Sequence, residues 1–412
     1  MVCGLMNGLR VVESSAFIAA PLAGMTLAQH GADVIRIDMI GGGIDYARLP
    51  KMARGRSLYW TGLNKGKRSL AVDLRRPEGR ELVRELVVAP DPLGGVLLTN
   101  IAVPWLSHAS LADRRPDVVT CTIEGNPDGS TAVDYTVNCA TGFPMMTGNG
   151  NVRAPVNHSL PAWDIACAYQ AAFGLAAACA ERRFSGVGRQ LRLALSDVAF
   201  SMLSHLGLLA EAELLGSERP ALGNWLYGAF GRDFATLDGR RIYVAGISLG
   251  QWRALVRACD MADACATIAA ERGLDLDVEE DRYAAREAIG VIVESWCSRR
   301  TLGAIGEIFD AGGVTWGIYR TVVEALAADA RLSEANPLFT RVDTPGIGRH
   351  LAARAPLRTI GVNPEPVAPA PLLGQHTDEI LLDVLGLPSG AVARLHDDGI
   401  VAGPERDPLA AA

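Results

Sequence analysis

The sequence predicts an α/β protein, with a large domain built on a parallel sheet and a smaller domain formed by the middle of the chain. Short apolar runs alternate with helical apolar spacing through the first 125 residues, which is typical of βαβ units with helices on both faces of a sheet. Residues 251–310 are instead helical and charged, as a separate smaller domain would be. The tail from about residue 335 is Pro-rich and is expected to run as a strap across another domain.

The elements of the first part follow from apolar spacing and from the residues that begin or end them. A helix over residues 20–30 ends at Gly31, and a helix over residues 77–88 begins with Pro77, which the first turn of a helix tolerates. Short apolar runs predict strands at residues 9–13, 34–37, 69–74, 95–98 and 118–123.

The rest of the chain has longer helices and fewer strands. Two long helices are predicted at residues 165–182 and 196–215, with a strand at 189–195 between them. The turn Leu237-Asp-Gly-Arg precedes a strand at 241–245, and a short helix is expected at 378–385. We therefore predict three parts, namely 1–215 as the first part of the large domain, 216–330 as the small domain, and 331–412 as a strap returning to the large domain.

Composition and charge exclude several classes of protein. The 412 residues include 39 Lys+Arg and 46 Asp+Glu, a net charge of −7, which argues against nucleic acid as a partner. Residues 1–10 lack the charged start and apolar run of a secretory signal. The most apolar stretch, 165–180, contains Tyr169 and Gln170 and is too short and polar to cross a membrane. No membrane partner is expected.

Cysteine and histidine spacing gives no sign of a metal site. The eight cysteines have no C-x-x-C spacing and lie mostly in apolar segments, and the seven histidines are scattered. Reduced cysteines in the core indicate a cytoplasmic protein.

Residues 51–68 form a local concentration of positive charge. The stretch holds all three lysines of the chain and no acidic residue; its six cations are Lys51, Arg54, Arg56, Lys65, Lys67 and Arg68. Such a patch could meet phosphates. A solvated loop explains the same composition about equally well.

Asp164 comes immediately before an apolar helix, in the segment Leu160-Pro-Ala-Trp-Asp-Ile. The commonest role of an Asp there is that of helix N-cap. A carboxylate at a helix N-terminus can also be a nucleophile toward an acyl carbonyl. Trp163 could line a pocket, although burial by packing is the default. His158 is near in sequence but lies across Pro161. The glycines at 41–43 do not fit a dinucleotide fingerprint, and no Gly-x-Ser-x-Gly elbow is present.

Several segments in order along nearly the whole chain carry a family resemblance. They are Leu9-Arg-Val-Val-Glu, residues 20–37, Leu63-Asn-Lys-Gly-Lys-Arg-Ser, Thr99-Asn100, residues 142–148, Asp164 with its helix, Gly186-Val-Gly-Arg-Gln and Leu373-Gly-Gln-His-Thr-Asp. In these the chain resembles the class III CoA-transferases, of the formyl-CoA transferase and carnitine CoA-transferase type, a family that also holds alpha-methylacyl-CoA racemase.

The resemblance implies a fold and an assembly. The large domain would be Rossmann-like and built from both ends of the chain, the smaller domain would be α+β, and two chains would interlock as a homodimer. It implies no permanently bound cofactor, since CoA is carried as part of a small acyl-CoA substrate.

The resemblance also implies site residues. Asp164 matches the catalytic aspartate, and the CoA-binding positions fall on Phe17, Ala19, Asn64, Lys67 and Asn100. Two departures stand out. An Arg that touches CoA in formyl-CoA transferase is replaced here by Met39. The racemase His falls near Val133-Asp134, so we expect no catalytic His there.

The activity implied most closely is CoA transfer within one molecule, from C1 to C4 of a mesaconyl group through an aspartyl-CoA thioester. Residues 41–46, 156–165, 226–234 and 396–404 carry that closer likeness. A CoA-transferase acting between two molecules on another dicarboxylic acid, a 2-methylacyl-CoA racemase, and a non-catalytic acyl-CoA-binding protein are the alternatives. Residues 223–234, rich in Gly and aromatics, are either a lid over the substrate or a packed approach to a hairpin.

Overall fold

The computed structural model describes residues 4–53, 55–148, 154–362 and 366–409. They form two compact units. The first takes in the described residues of 4–141, 158–210 and 330–409, and the second those of 142–157 and 211–329. The predicted three-part division of the chain stays a prediction.

Twelve strands are present in the described residues. In chain order they are β1 (Arg10–Ser14), β2 (Asp33–Met39), β3 (Arg68–Val72), β4 (Val96–Thr99), β5 (Val119–Glu124), β6 (Arg189–Ala194), β7 (Phe230–Ala235), β8 (Arg241–Gly246), β9 (Thr315–Ile318), β10 (Phe339–Thr344), β11 (Gly348–Ala353) and β12 (Val401–Ala402).

Helices connect these strands. In chain order they are α1 (Ala19–Gln29), α2 (Leu58–Leu63), α3 (Pro77–Val88), α4 (His108–Ala112), α5 (Asp134–Cys139), α6 (Phe143–Met146), α7 (Ala162–Ser185), α8 (Leu195–His205), α9 (Leu208–Leu215), α10 (Leu249–Ala258), α11 (Ala262–Arg272), α12 (Glu279–Ala284), α13 (Arg286–Cys297), α14 (Leu302–Gly312), α15 (Val322–Ala328), α16 (Thr377–Glu379) and α17 (Ser389–Asp397). A π-helical turn, Ile380–Val384, continues α16.

A seven-stranded sheet organises the first unit, in the order β12-β3-β2-β1-β4-β5-β6. All neighbours pair in parallel except β12, which is antiparallel to β3. The inner strands are nearly continuous buried runs, because helices cover both faces of the sheet. The predicted α/β fold with a parallel sheet is confirmed.

One predicted helix is wrong in a specific way. Residues 196–215 were expected to form a single helix, but α8 and α9 are separate and bent by 62°. The break falls at Gly207, whose φ of 78° is left-handed and which therefore ends α8. Both halves have helical spacing, so the pattern alone did not reveal the bend.

The C-terminal tail contains more structure than its Pro-rich composition predicts. β10 and β11 form an antiparallel hairpin between residues 339 and 353. Further on, the amide of Gly66 donates to the carbonyl of Pro369 (3.1 Å), and the amide of His376 to that of Ser69 (3.0 Å). The tail therefore runs along β3 and completes the sheet through β12.

The second unit has its own core under a three-stranded antiparallel sheet, β7-β8-β9. Trp296 stacks on Phe309 with ring centroids 5.1 Å apart, and Phe230 and Phe234 are fully buried in the same cluster. The end of segment 223–234 is thus core, as the packed-hairpin interpretation has it, and only the part before β7 is left as a candidate lid.

Within the described ranges, no single helix combines the length and apolar composition needed to cross a membrane. The bent pair α8 and α9 meets that test only when the two helices are counted together.

Candidate active site

The central feature of the first unit is the point where the sheet reverses its strand order. The chain leaves β1 toward β2 on one side, and β4 flanks β1 on the other. In open α/β sheets this reversal opens a crevice at the carboxyl ends of the strands, where ligands bind. Asn100, just after β4, spans it: its side-chain amide exchanges two hydrogen bonds with the backbone of Ala16, at 2.9 and 2.7 Å.

Phe17 and Ala19 lie at the same crevice. Phe17 has a φ of 65°, and its amide donates to the carboxylate of Asp45 at 2.8 Å. Ala19 is buried and begins α1. The guanidinium of Arg48 lies 5.3 Å from the ring centre of Phe17 and 5.4 Å from that of Tyr59. Arg48 therefore places an exposed cation here that the sequence analysis missed.

Lys67 and Asn64 lie beneath the crevice rather than in it. The Lys67 ammonium group contacts the Glu13 carboxylate, the Pro21 carbonyl and the Asn64 amide oxygen, each at 2.8 Å. Its side chain is fully buried. Burial lowers the pKa of Lys67 to about 8, although Glu13 opposes that change. Arg36 also contacts Glu13, so the two cations share one buried carboxylate.

The interpretation of residues 51–68 as an open positive patch needs correction. Lys67 is enclosed, Arg56 is buried beside Asp407, and Arg68 pairs with Asp33 and Glu379. Lys51 is exposed, and Arg54 lies outside the described residues. These described cations face different partners because Arg68 begins β3, whereas the others lie in the loops before and after α2.

Asp164 is not the N-cap of its helix, contrary to the commonest expectation. α7 begins at Ala162, so Asp164 is its third residue. The capping carboxylate belongs to Asp134, which accepts the amides of Trp163 (2.7 Å) and Asp164 (3.0 Å). Trp163 is buried and donates its indole N–H to Asn138 (3.0 Å), so it packs rather than lining an open pocket.

The position of Asp164 follows from topology. α7 runs antiparallel to the strands and leads into β6, so its N-terminus lies at the carboxyl edge of the sheet, the edge that holds Phe17 and Asn100. Burial, together with the negative charge of Asp134, raises the pKa of Asp164 to about 7. The charge of Asp164 in turn helps to raise the pKa of Tyr59, chiefly a burial effect.

A histidine does reach this site, by a route the sequence analysis did not foresee. The segment Val133-Asp134 contains no histidine, as its sequence shows. The Nε2 atom of His158, however, lies 2.6 Å from the Asp134 carboxylate. Its ring packs against Tyr135 and Trp163, with centroids 5.9 and 6.3 Å away. The only sequence signal was its distance of six residues from Asp164.

Two further features complete the description. Met39 is exposed at the end of β2, and it brings no charge to the crevice. A cavity of about 530 Å³ lies near the opposite edge of the sheet, around His30, Lys65 and Arg354. Lys65 is a cation of the segment 51–68, whereas none of Asp164, Phe17, Ala19, Asn64, Lys67 and Asn100 lines this cavity. The described residues contain no group of three or more side chains that could hold a metal ion.

Comparison with known proteins agrees with this geometry. Residues 6–377 match the model of CoA-transferase family III. The chain belongs to that family. It is 51% identical to 2-methylfumaryl-CoA isomerase of Chloroflexus aurantiacus over 98% of this chain and 99% of the relative. It is 26% identical to formyl-CoA:oxalate CoA-transferase of Rhodopseudomonas palustris over 97% and 98%.

Solved structures show the same family fold. A CaiB/BaiF family protein from Brucella suis superposes with a TM-score of 0.76 at 24% identity, over 92% of this chain and 99% of that one. The large parallel sheet is therefore the fold that this chain shares with that protein.

The buried partners of Lys67 predict a stability effect. Lys67→Ala leaves the Glu13 carboxylate buried beside one cation instead of two, and should lower the free energy of unfolding by about 3 kcal/mol or more. Urea unfolding measures this. Lys51→Ala, at an exposed position of the same segment, is the control and should change little. A Lys67→Ala protein of normal stability with a raised KM would instead show direct contact with CoA.

The raised pKa of Asp164 predicts a pH-dependent gain in stability on neutralising it. Folding favours the protonated carboxyl group, and that contribution is lost as pH rises from the ordinary value of 3.8 through about 7. At pH 8 the free energy of unfolding of Asp164→Asn, measured in urea, should therefore exceed that of the parent by roughly 2–4 kcal/mol. This difference should vanish near pH 4. An equal gain in Asp197→Asn, an exposed first-turn Asp of α8, would contradict the assignment.

Proposed function

We propose that the protein is an intramolecular CoA-transferase that converts 2-methylfumaryl-CoA, with CoA on C1 of the mesaconyl group, into 3-methylfumaryl-CoA, with CoA on C4. The observation that carries the proposal is a carboxylate, Asp164, in the first turn of a long helix at the crevice of the sheet. The 51% identical relative named 2-methylfumaryl-CoA isomerase, aligned over nearly the whole chain, supports the substrate.

The proposed reaction proceeds through covalent catalysis by Asp164. Its ionised carboxylate attacks the thioester carbonyl at C1, and CoA leaves as the thiolate, giving a mixed anhydride. The thiolate attacks the aspartyl carbonyl of that anhydride and releases mesaconate, leaving an aspartyl-CoA thioester. The C4 carboxylate of the same mesaconate then attacks the aspartyl carbonyl, the thiolate leaves again, and it returns to the C4 carbonyl. The Asp164 carboxylate is regenerated and no redox change occurs.

Three groups would support these steps. Backbone amides near the crevice could stabilise the oxyanions that form on the carbonyls. We assign contact with CoA to Phe17, Ala19 and Asn100, and to Arg48 as the exposed cation in place of the Arg that Met39 replaces. Lys67 and Asn64 hold the crevice from beneath. Because the aspartyl thioester would hydrolyse in water, the freed mesaconate has to be held in a largely dry cavity while it turns.

A 2-methylacyl-CoA racemase is the second candidate because His158 and the amide of Asp164 both bond to the Asp134 carboxyl group. Its Nε2, however, faces the Asp134 carboxylate, an orientation that does not offer it to a substrate. A racemase would exchange the α-proton of a 2-methylacyl-CoA with solvent, so deuterium uptake in D₂O would favour that activity over acyl transfer.

We also propose an interlocked homodimer, no resident cofactor and a place in the cytoplasm. Large apolar side chains of α7 are exposed in the single chain, Phe173 at 69% and Phe184 at 92%, and a partner would cover them. The seven cysteines within the described residues are all free, as reducing surroundings favour. Sedimentation velocity should give about twice the chain mass of 43.6 kDa, and a monomer at micromolar concentration would contradict the dimer.

The decisive test follows CoA and acid separately. Unlabelled 2-methylfumaryl-CoA is incubated with an excess of ¹³C-labelled free mesaconate, and 3-methylfumaryl-CoA is analysed by mass spectrometry. We expect unlabelled product, since the acid does not leave during transfer. Label that equilibrates into product would assign the protein to transfer between molecules. Asp164→Ala, the control, should lose activity by at least about 10³-fold while remaining folded.

A further inference from the structure

Three titratable side chains from separate segments meet at the N-terminus of α7. Asp134 accepts hydrogen bonds from the amides of Trp163 and Asp164 through one carboxylate oxygen, and its other oxygen lies 2.6 Å from Nε2 of His158. The Asp134 side chain is only 2% exposed, and that of His158 25%. No mechanistic step described above uses His158.

The arrangement contains an electrostatic conflict. Asp134 has hydrogen-bond partners at both carboxyl oxygens, with two backbone amides at one and the His158 ring at the other. Its negative charge opposes ionisation of Asp164, because like charges at close range disfavour each other. Because the proposed nucleophile reacts in its ionised form, a positive group beside Asp134 would favour catalysis.

His158 is placed to do so. Nε2 must carry a hydrogen to bond to the carboxylate, and an imidazolium there would leave the pair with no net charge. The rings of Tyr135 and Trp163 hold the imidazole in this orientation. A histidine is also the side chain whose charge changes most readily near neutral pH.

We propose that His158 is a positioning residue: it fixes Asp134 as the cap of α7 and offsets its charge, so that Asp164 is ionised and correctly aimed. The inference deepens the proposed function, because it takes Asp164 as the nucleophile. It adds to that function a histidine that acts on Asp164 through the carboxylate of Asp134.

Three other titratable groups of the described residues lie around this cluster, and none of the three is a cation. Burial raises the pKa of Cys167, next on the same helix face, to about 12, and raises that of Tyr59 on α2 as well, so both stay neutral. Tyr135 of α5 packs its ring against that of His158, with centroids 5.9 Å apart. Arg48 and Asp45, which carry opposite charges, both act on Tyr59: Arg48 lowers its pKa and Asp45 raises it.

The test compares His158→Gln, Asp134→Asn and the double variant by the pH dependence of kcat/KM. His158→Gln keeps an N–H donor but cannot become charged. We expect its apparent pKa for activity to rise by about one unit, a loss of about tenfold at pH 6 that largely disappears at pH 9. Asp134→Asn should move the apparent pKa down, and the double variant should return near the parent, since both charges are gone. KM for the CoA ester should change little.

His350→Gln, in the β10–β11 hairpin, is the matched control and should leave the profile unchanged. A His158→Gln protein with reduced activity at every pH and an unshifted profile would overturn the inference, because a purely structural role predicts that result. The inference would also be overturned if the double variant kept the full upward shift of His158→Gln, because Asp134→Asn would then have no effect on the profile.

A second readout separates this inference from the proposed function. The difference in urea stability between each protein and its Asp164→Asn counterpart, followed from pH 4 to 9, reports the titration of Asp164 without turnover. If His158→Gln moves that titration upward while 2-methylfumaryl-CoA is not converted, the inference stands and the substrate assignment fails. If conversion is found but the titration does not move, the inference fails and the function stands.

Discussion

The contact between the Asp134 carboxylate and the first turn of α7 is the interaction on which the site depends. It supplies hydrogen-bond acceptors for two amides that the helix itself leaves unpaired, and so fixes where α7 begins. Because Asp164 is two residues into that helix, the same contact determines where its carboxylate points. The cost is a second negative charge close by, which raises the pKa of Asp164 toward neutrality. The position and the charge of Asp164 are therefore linked through one side chain.

Beneath the crevice, a second group of buried charges holds the sheet in register. Glu13 of β1 contacts Arg36 of β2 and Lys67 just before β3, so three neighbouring strands are joined through one carboxylate. Burying such charges removes water from them, and a well-packed apolar set would be no less stable. The three charged residues make the strand arrangement specific, because each of them meets its partners only when β1, β2 and β3 lie in this order. The crevice edge formed by Ser15, Ala16 and Phe17 follows directly from it.

Stability and chemistry oppose each other at Asp164. A partly buried carboxylate near another carboxylate destabilises the folded state once it ionises, and neutral substitution there should stabilise the protein. The fold tolerates this because α7 is long and packs its apolar face in the core through residues such as Cys167, Ala171 and Leu175. A strong helix can carry an unfavourable group in its first turn. The same neighbourhood leaves the carboxylate less solvated than that of a surface aspartate.

The sequence by itself determined the α/β class, most strands of the parallel sheet, α3 at its full length and the place of Asp164 at the start of a long helix, because apolar periodicity and helix-start residues act locally along the chain. It also carried the family, through motifs spread over its length. Only the tertiary structure decided that Asp134 caps α7, that His158 joins it, that Lys67 is buried and that Arg48 stands beside Phe17. Those contacts join residues 24 to 54 positions apart, or depend on which way a side chain turns. Apolar periodicity shows which face of a helix or strand is buried. Which charged side chains of different elements pair is decided only when those elements pack together.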